Sequence, residues 1–380
     1  MANDASPQPR VAFVLPNPRA ELAVAVAAGT APDSTLLGQN HLGALGIDAR
    51  LHDPLLTRRR VPGGLLGRVA WSLRELTLPW ELRDADLAFT ALANLFPLAA
   101  RARRRPPVVV VNYGLCLIYE RSSGLRRRLL TASLRSAAGV VCLARSQRDQ
   151  LMEQTGLPPE RVHVVPLGID ERYFAPRAAP AQGEPYVLAV GKDMARDYET
   201  FARAVERLGV RAEIAAYPRN LEGVRLPPGT RARAVPPGEL RELYAGAACV
   251  VVPQRRDGYP YGSEGGGLTA LLEALAMARP VVASDRAVLH DYVVDGVSAS
   301  LVAPEDPDAL AAGISRVLDD PATADSLGGA GRARVEEALT SAHFAAGIAP
   351  ILVAAARNEP APRRVRAQQD PWRHDEFGKP

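Results

Sequence analysis

A run of glycines followed at once by an apolar helical segment is the part of the sequence with the clearest chemical meaning. Residues 262–284 read GSEGGGLTALLEALAMARPVVAS, and Gly265, Gly266 and Gly267 stand directly before Leu268. Because glycine has no side chain, the backbone there can approach an anion closely, and the first N–H groups of a helix form a positive dipole end. A phosphate group fits these features, and a flexible turn before a helix is the competing interpretation.

Glu273 is a carboxylate in a predicted helix, 269–277, that is otherwise made mostly of leucine and alanine. A buried charge is costly unless it is paired or hydrogen-bonded. Accepting hydrogen bonds from two sugar hydroxyls is a function that would retain such a carboxylate. The segment therefore favours the binding of a sugar phosphate over a purely structural turn.

Lys192 and Arg196 follow a predicted strand, Tyr186–Val190. The basic residues are almost all arginine, and Lys192 is one of only two lysines in the chain. Two fixed cations can stabilise the charge that develops on a departing nucleoside diphosphate, where other enzymes use Mg²⁺. Two ordinary surface bases beside Asp193 and Asp197 are the competing interpretation. The six histidines lie scattered without ligand spacing, so no metal site and no cofactor are expected.

Strand-like runs alternate with helical segments along the whole chain, which predicts parallel sheets covered on both faces, an α/β fold. Helices are expected over 33–46, where Asp33 or Ser34 can begin the helix and Gly46 end it, and over 145–155. The strands predicted in the first half are Val11–Leu15, Ile47–His52, Ala85–Thr90, Val108–Asn112, Gly139–Leu143 and Val162–Pro166.

The alternation pauses in a segment rich in proline and alanine, 175–185, and then begins again. This segment is predicted to be a linker between a first domain, 1–174, and a second domain, 186–340. The strands predicted in the second domain are Tyr186–Val190, Ala212–Ala216, Cys249–Pro253, Pro280–Ser284 and Leu301–Val302. A last helix is expected over 341–357, and the polar tail 358–380 is expected to be disordered.

Several stretches resemble the family-4 retaining glycosyltransferases of the GT-B fold. The segment 272–283, LEALAMARPVVA, resembles the C-terminal signature of that family. Residues 290–297 and 301–304 resemble the stretch that follows it, and 160–170, ERVHVVPLGID, resembles the end of the family's first domain. The similarity covers roughly 139–320. It implies two Rossmann-like domains facing across a cleft, with the acceptor side first, the nucleotide-sugar side second and the last helix crossing back to the first domain.

The resemblance also implies roles for individual residues. Glu273 matches the second glutamate of the family's E-x7-E pair and is expected to bind the ribose hydroxyls. The first glutamate should fall at Gly265, whereas the acid stands one position earlier at Glu264, so either Glu264 reaches the donor sugar from a shifted loop or the sugar is recognised differently. Lys192 and Arg196 match the basic pair that holds the diphosphate. The remaining residues assigned to the donor are Pro253, Gly265, Gly266, Gly267 and Leu268.

Three residues of the first domain complete the expected site. Relatives often carry a histidine at the position of Tyr113, which is expected either to hydrogen-bond the donor sugar or only to pack at the strand end. Asn17 and Arg19 follow the first strand and are assigned to the acceptor, with an ordinary loop tip as the alternative.

The charge distribution limits the partners. The net charge is +4, and the excess of arginine lies in the first half. A basic first half suits a phosphate-bearing acceptor or a weak association with a membrane surface, or is simply a solvated arginine-rich surface. No aromatic-interleaved basic motif indicates nucleic-acid binding. The polar start, the lack of a long apolar run and three cysteines without C-x-x-C spacing predict a cytoplasmic protein.

The expected function is therefore glycosyl transfer from a nucleotide-diphosphate donor, with a UDP-sugar favoured, to a small-molecule or glycan hydroxyl, with retention and without a metal. The missing first glutamate and the missing histidine leave a second interpretation open. In it, the chain is an inactive relative that binds a nucleotide sugar or a partner glycosyltransferase.

Overall fold

The computed structural model describes residues 8–53, 65–177 and 184–359. They divide into two compact units. The first contains 8–24, 35–53, 65–166 and 342–359, and the second contains 25–34, 167–177 and 184–341. The part of the predicted linker at 178–183 and the predicted tail from 360 onward lie outside the described residues.

The first unit is built on a parallel sheet in which the described strands follow the order β2-β1-β3-β4-β5-β6. These strands are β1 (Arg10–Val14), β2 (Asp48–Leu51), β3 (Leu87–Thr90), β4 (Val108–Asn112), β5 (Gly139–Cys142) and β6 (Val162–Val164). Every residue of β3, β4 and β5 is buried. Such continuous burial is typical of parallel strands covered on both faces, which is why the valine run of β4 has no polar alternation.

Helices connect these strands. They are α1 (Ala20–Ala27), α2 (Leu65–Glu81), α3 (Phe96–Ala102), α4 (Leu115–Glu120), α5 (Gly124–Ser136) and α6 (Arg145–Thr155). The α-helix expected over 33–46 is wrong: two 3₁₀ helices, Asp33–Leu36 and Gln39–Leu45, stand there. Leu37 and Gly38 between them both have positive φ, which interrupts a regular helix.

The second unit contains another parallel sheet, with its described strands in the order β12-β11-β10-β7-β8-β9. They are β7 (Tyr186–Val190), β8 (Ala212–Ala215), β9 (Thr230–Arg233), β10 (Ala247–Val252), β11 (Val281–Ser284) and β12 (Ser300–Val302). The sequence did not predict β9, a half-exposed edge strand. The order reverses between β7 and β10, and open α/β sheets bind ligands at the carboxyl ends of the strands where such a reversal occurs.

The helices of this unit are α7 (Tyr198–Leu208), α8 (Pro237–Gly246), α9 (Leu268–Ala276), α10 (Pro307–Asp319) and α11 (Pro321–Ala338). Helix α9 is nearly all buried, so its apolar sequence reflects the core of the unit. A final helix, α12 (Ser341–Ala356), has its residues from Ala342 onward in the first unit. There it packs closely against the first unit. A Cβ atom at Gly38 would lie 3.0 Å from Cβ of Ala345, and a Cβ atom at Gly347 would lie 2.5 Å from a methyl group of Val165.

Candidate active site

Arg196 is held in the loop after β7, at the point where the strand order reverses. The side chain is 7% exposed, and its Nε and Nη1 atoms are buried without a hydrogen-bond partner among the described residues. Gly191 has a φ of +149°, and a side chain there would overlap the Arg196 guanidinium. The loop therefore places a buried positive charge against bare backbone. An uncompensated buried charge is costly, so this arrangement favours an anionic ligand.

The N-terminus of α9 meets the same guanidinium. Gly267 precedes the helix with a φ of +97° and has no side chain that could cap the N–H groups of the first turn. A Cβ atom at Gly267 would lie 3.5 Å from Nη1 of Arg196 and 2.7 Å from Nε2 of Gln254. Helix amides, a buried arginine and a buried glutamine amide thus converge on one place. The glycine is required there because both its φ and the close side chains exclude a larger residue.

Asp193 joins the loop after β7 to the glycine-rich loop. Its Oδ1 accepts from the backbone N–H of Ala195 at 2.8 Å, and its Oδ2 accepts from the hydroxyl of Ser263 at 3.1 Å. A side chain at Gly262 or Gly266 would come within 3.0 Å of this carboxylate group or closer. The two loops that carry the predicted donor residues are therefore held together by one side chain that the sequence did not single out.

Lys192 is exposed, in contrast to Arg196. The backbone beside it is fixed, because Nδ2 of Asn220 donates to the carbonyl oxygens of Lys192 and Asp193, each at 3.2 Å. Its ammonium group is close enough to Glu273 to favour the charged form of that carboxylate. The loop thus presents an exposed cation, Lys192, on a hydrogen-bonded backbone near a buried cation, Arg196.

Glu273 lies in α9 and is 8% exposed. Burial raises the pKa of its carboxyl from 4.5 to about 7, although the hydroxyl of Tyr244 and the positive charges of Arg196 and Lys192 act in the opposite direction. The Tyr244 hydroxyl donates to Oε2 at 2.8 Å. One oxygen of the carboxylate is thus hydrogen-bonded within the unit, and burial favours the protonated form of the group more than water does.

The start of α7 supports the same loop. Asp197 precedes the helix and accepts from the backbone N–H and the hydroxyl of Thr200, at 3.1 and 2.7 Å. Nη2 of Arg255 lies 3.2 Å from its Oδ1. The Asp197 N–H donates to the carbonyl oxygen of Pro253 at 3.1 Å, so the predicted donor residue Pro253 contacts the loop through its backbone.

Glu264 is half-buried, one residue before the run of glycines. Its carbonyl oxygen accepts from Nη2 of Arg286 at 3.3 Å, and Arg286 also donates through Nε to Asp257 at 2.9 Å. Arg286 is 5% exposed. Sequence reasoning missed this arginine, which holds the backbone of the glycine-rich loop from the side of β11.

The three residues predicted in the first unit follow β1 and β4. Arg19 is half-buried, Asn17 is exposed, and the backbone N–H of Arg19 donates to Asp53 at 2.8 Å. Burial raises the pKa of Tyr113, and the nearby charge of Arg19 opposes the shift. The side-chain oxygen of Asn112 accepts from the N–H of Leu115, the first residue of α4, at 2.8 Å, which fixes the turn that contains Tyr113. Tyr113 and Arg19 are therefore neighbours at one end of this sheet.

The described residues contain neither a cluster of metal ligands nor a helix that could span a membrane. Within 8–53, 65–177 and 184–359, no group of three or more His, Cys, Asp or Glu side chains is arranged to hold a metal ion. In the same ranges, no helix has the length and apolar character to cross a bilayer.

Two glycosyltransferase family models match the chain, one in each half. The model of glycosyltransferase family 4 matches residues 22–173, and that of glycosyl transferases group 1 matches residues 232–334. MMP alpha-(1->4)-mannosyltransferase from Mycolicibacterium hassiacum is 28% identical over 284 residues, which cover 68% of this chain and 64% of that protein. The chain thus spans slightly less than two thirds of this relative's length.

Solved structures share the fold over nearly the whole chain. Sucrose-phosphate synthase from Thermosynechococcus elongatus matches with a TM-score of 0.67 and 20% identity, covering 89% of this chain and 96% of that one. The Anabaena protein HepE, crystallised with UDP-glucose, matches with a TM-score of 0.65 and 14% identity, covering 90% and 99%. At these identities the likeness concerns the fold alone. The family models matched over 22–173 and 232–334 place the chain among the family-4-like glycosyltransferases, and the solved structures show that its fold is GT-B.

Proposed function

We propose that this protein transfers a sugar from a nucleoside diphosphate carrier to an acceptor hydroxyl. The observation that carries the proposal is Arg196, a guanidinium 7% exposed whose Nε and Nη1 have no hydrogen-bond partner among the described residues. It lies beside Gly267 at the N-terminus of α9. A diphosphate supplies both the charge and the acceptor oxygens that such a group lacks.

In the proposed reaction, the bond between the anomeric carbon and the phosphate oxygen breaks while the acceptor oxygen bonds to that carbon. Negative charge grows on the departing diphosphate, and Arg196, Lys192 and the amides of Gly266–Leu268 stabilise it. The departing phosphate oxygen takes the proton of the acceptor hydroxyl. We extend the proposal to retention of configuration and to catalysis without a metal, on the strength of the family resemblance and of the two cations in the loop after β7.

The other residues take roles within this scheme. Glu273 accepts hydrogen bonds from the ribose hydroxyls, which its remaining acceptor capacity permits beside the Tyr244 hydroxyl. Glu264 contacts the donor sugar, and Pro253 and Gly265 line the donor site. In the first unit, Tyr113 contacts the donor sugar, while Asn17 and Arg19 bind the acceptor. The arginine-rich first half associates weakly with membrane surfaces.

A UDP-sugar is the favoured donor. HepE, which shares the fold, was crystallised with UDP and with UDP-glucose. The name of the M. hassiacum relative describes a mannosyltransferase, so a hexosyl group is a reasonable sugar class to transfer. The acceptor is proposed only as a hydroxyl of a small molecule or glycan.

The test combines a binding measurement with a turnover measurement. UDP and GDP should raise the melting temperature of the wild-type protein, because a ligand that binds only the native state stabilises it. Release of nucleoside diphosphate from a panel of nucleotide sugars with an acceptor mixture should then show turnover. Binding without turnover across the panel would favour the inactive relative, and the absence of any thermal shift would contradict the donor site itself.

Arg196→Met should lower turnover about 100- to 1,000-fold, the range found for fixed groups that stabilise developing negative charge. Arg241→Met is the matched control, because Arg241 stacks 4.0 Å over the Tyr173 ring and donates to the Tyr173 carbonyl oxygen at 3.4 Å. It should lower stability but leave turnover unchanged. Equal losses of turnover in both variants would show that Arg196 has no special role.

A further inference from the structure

Gln254 carries a buried amide group that makes no hydrogen bond to the residues that the structure describes. The side chain is 1% exposed, and neither Nε2 nor Oε1 has a hydrogen-bond partner among the described residues. Its backbone is well fixed, since its N–H donates to the hydroxyl of Ser284 at 2.9 Å and it pairs with Arg196 in an antiparallel bridge. The orphan amide is therefore not a consequence of a loose loop.

A second buried glutamine uses one end of its amide. Gln147, in the first unit, is equally buried, and its Oε1 accepts from the N–H of Leu143 at 2.8 Å, while its Nε2 has no partner among the described residues. Gln254 differs because both ends of its amide lack a partner there. Removing both a donor and an acceptor from water without replacing their hydrogen bonds is unfavourable, and each such group in a native structure requires an explanation. A ligand that supplies both partners would explain it.

The position of the amide identifies what that ligand would be. A Cβ at Gly267 would lie 2.7 Å from Nε2 of Gln254 and 3.5 Å from Nη1 of Arg196, so the amide faces the N-terminus of α9 next to the guanidinium. Arg196 and the helix amides supply only donors, which suit phosphate oxygens. The amide of Gln254 adds an acceptor to this set, and a sugar hydroxyl requires an acceptor.

We infer that Gln254 binds the donor at the junction between its diphosphate and its sugar. One end of the amide donates to a phosphate oxygen, and the other accepts from a hydroxyl of the transferred sugar. This inference rests on the proposed function and deepens it, because it assigns a residue that distinguishes a nucleotide sugar from the nucleoside diphosphate alone.

The experiment compares Gln254→Met with the wild-type protein. Isothermal titration with UDP, GDP, UDP-glucose and GDP-mannose measures the affinities. Methionine keeps the length of the side chain and removes both polar atoms, so the variant should bind the accepted nucleoside diphosphate about 10-fold more weakly and its sugar ester about 100-fold more weakly. The melting temperature of the ligand-free variant should equal or exceed that of the wild type, because an unpaired amide has been removed.

Gln254→Glu tests the same role with a side chain of the same shape, in which a carboxylate replaces the amide. Its carboxylate should pair with Arg196 and compete with the diphosphate, so the loss of affinity should exceed that of Gln254→Met. Gln150→Met is the control, because Gln150 is a half-buried residue of the first unit whose amide donates to Glu120 at 2.7 Å, and the affinities of this variant should match those of the wild type.

The outcomes separate the two levels of inference. If the wild type binds none of the four compounds, the proposed function fails, and the role of Gln254 fails with it. If the wild type binds and both Gln254 variants bind equally well, only the role of Gln254 is overturned. A ligand-free Gln254→Met protein that melts well below the wild type, with affinities lowered equally for the diphosphate and its sugar ester, would identify a structural glutamine and also overturn it.

Discussion

The ionisation of Glu273 links donor binding to pH in a direction that can be worked out in advance. Burial raises the pKa of this carboxyl from 4.5 to about 7. Ribose hydroxyls donate to the ionised carboxylate, so donor affinity should follow the ionised fraction. At pH 8.5 nearly all molecules are ionised, and at pH 5.5 only about one in thirty is, so the affinity should fall about 30-fold between these values.

The stability of the ligand-free protein should change in the opposite direction. The unfolded chain loses this proton near pH 4.5, whereas the folded chain keeps it until about pH 7. The contribution of Glu273 to stability is therefore fully present below pH 4.5 and decreases by about 3 kcal/mol as the pH rises through 7. The carboxylate that the donor needs is thus the form that destabilises the empty site.

The assay is isothermal titration with UDP-glucose between pH 5.5 and 8.5, because the diphosphate diester of this compound does not itself titrate in that range. Glu273→Gln should bind weakly and show no pH dependence. Tyr244→Phe removes the hydroxyl that donates to the carboxylate at 2.8 Å, so the midpoint of its profile should move upward by about one pH unit. A flat wild-type profile, or one that persists in Glu273→Gln, would refute the assignment of the titration to Glu273.

Two further predictions concern the loops that form the site. Gly258→Ala should lower the free energy of unfolding in urea by about 1–2 kcal/mol, because Gly258 has a left-handed φ of +78° but no atom near its missing Cβ. Gly267→Ala should lower it clearly more, because its new Cβ would also clash with Gln254 at 2.7 Å. Equal losses would show that the glycine-rich loop adjusts freely. Asp193→Ala leaves the Ala195 N–H without its acceptor and should destabilise by about 1–3 kcal/mol, whereas Ser263→Ala loses one bond and should cost less. The reverse order would mean that Asp193 does not hold the two loops together.

Much of the fold could be predicted from the sequence where local signals agreed with burial. The predicted bounds of β4, β7 and α6 are confirmed. Largely apolar runs mark the two strands, and Gly156 marks the end of the helix. Strand β9 has the sequence TRAR and lies half-exposed at the edge of its sheet, so it has no apolar run to reveal it. The segment 33–46 has helical periodicity, but the backbone at Leu37 and Gly38 breaks it into two 3₁₀ helices.

The site was predictable to the extent that single residues were chemically unusual. The scarcity of lysine drew attention to Lys192, and a carboxylate among alanines and leucines drew attention to Glu273. The charges of Lys192 and Arg196 both act on the Glu273 carboxylate. Gln254 and Arg286 have no such signal, since a glutamine or an arginine after a strand is ordinary in this sequence. Their interest comes from what surrounds them in three dimensions, which residue spacing does not encode.

The residues at the start of α7 both cap the helix and hold the end of β7. The Asp197 carboxylate begins the helix, and the Tyr198 hydroxyl donates to the Gly191 carbonyl oxygen at 2.6 Å. Substitutions of Asp197 or Tyr198 that are chosen to make the helix more stable should therefore also shift the end of β7 and the loop that contains Arg196. Gains in heat tolerance there should come with losses of activity, so such work should begin on the far end of the helix.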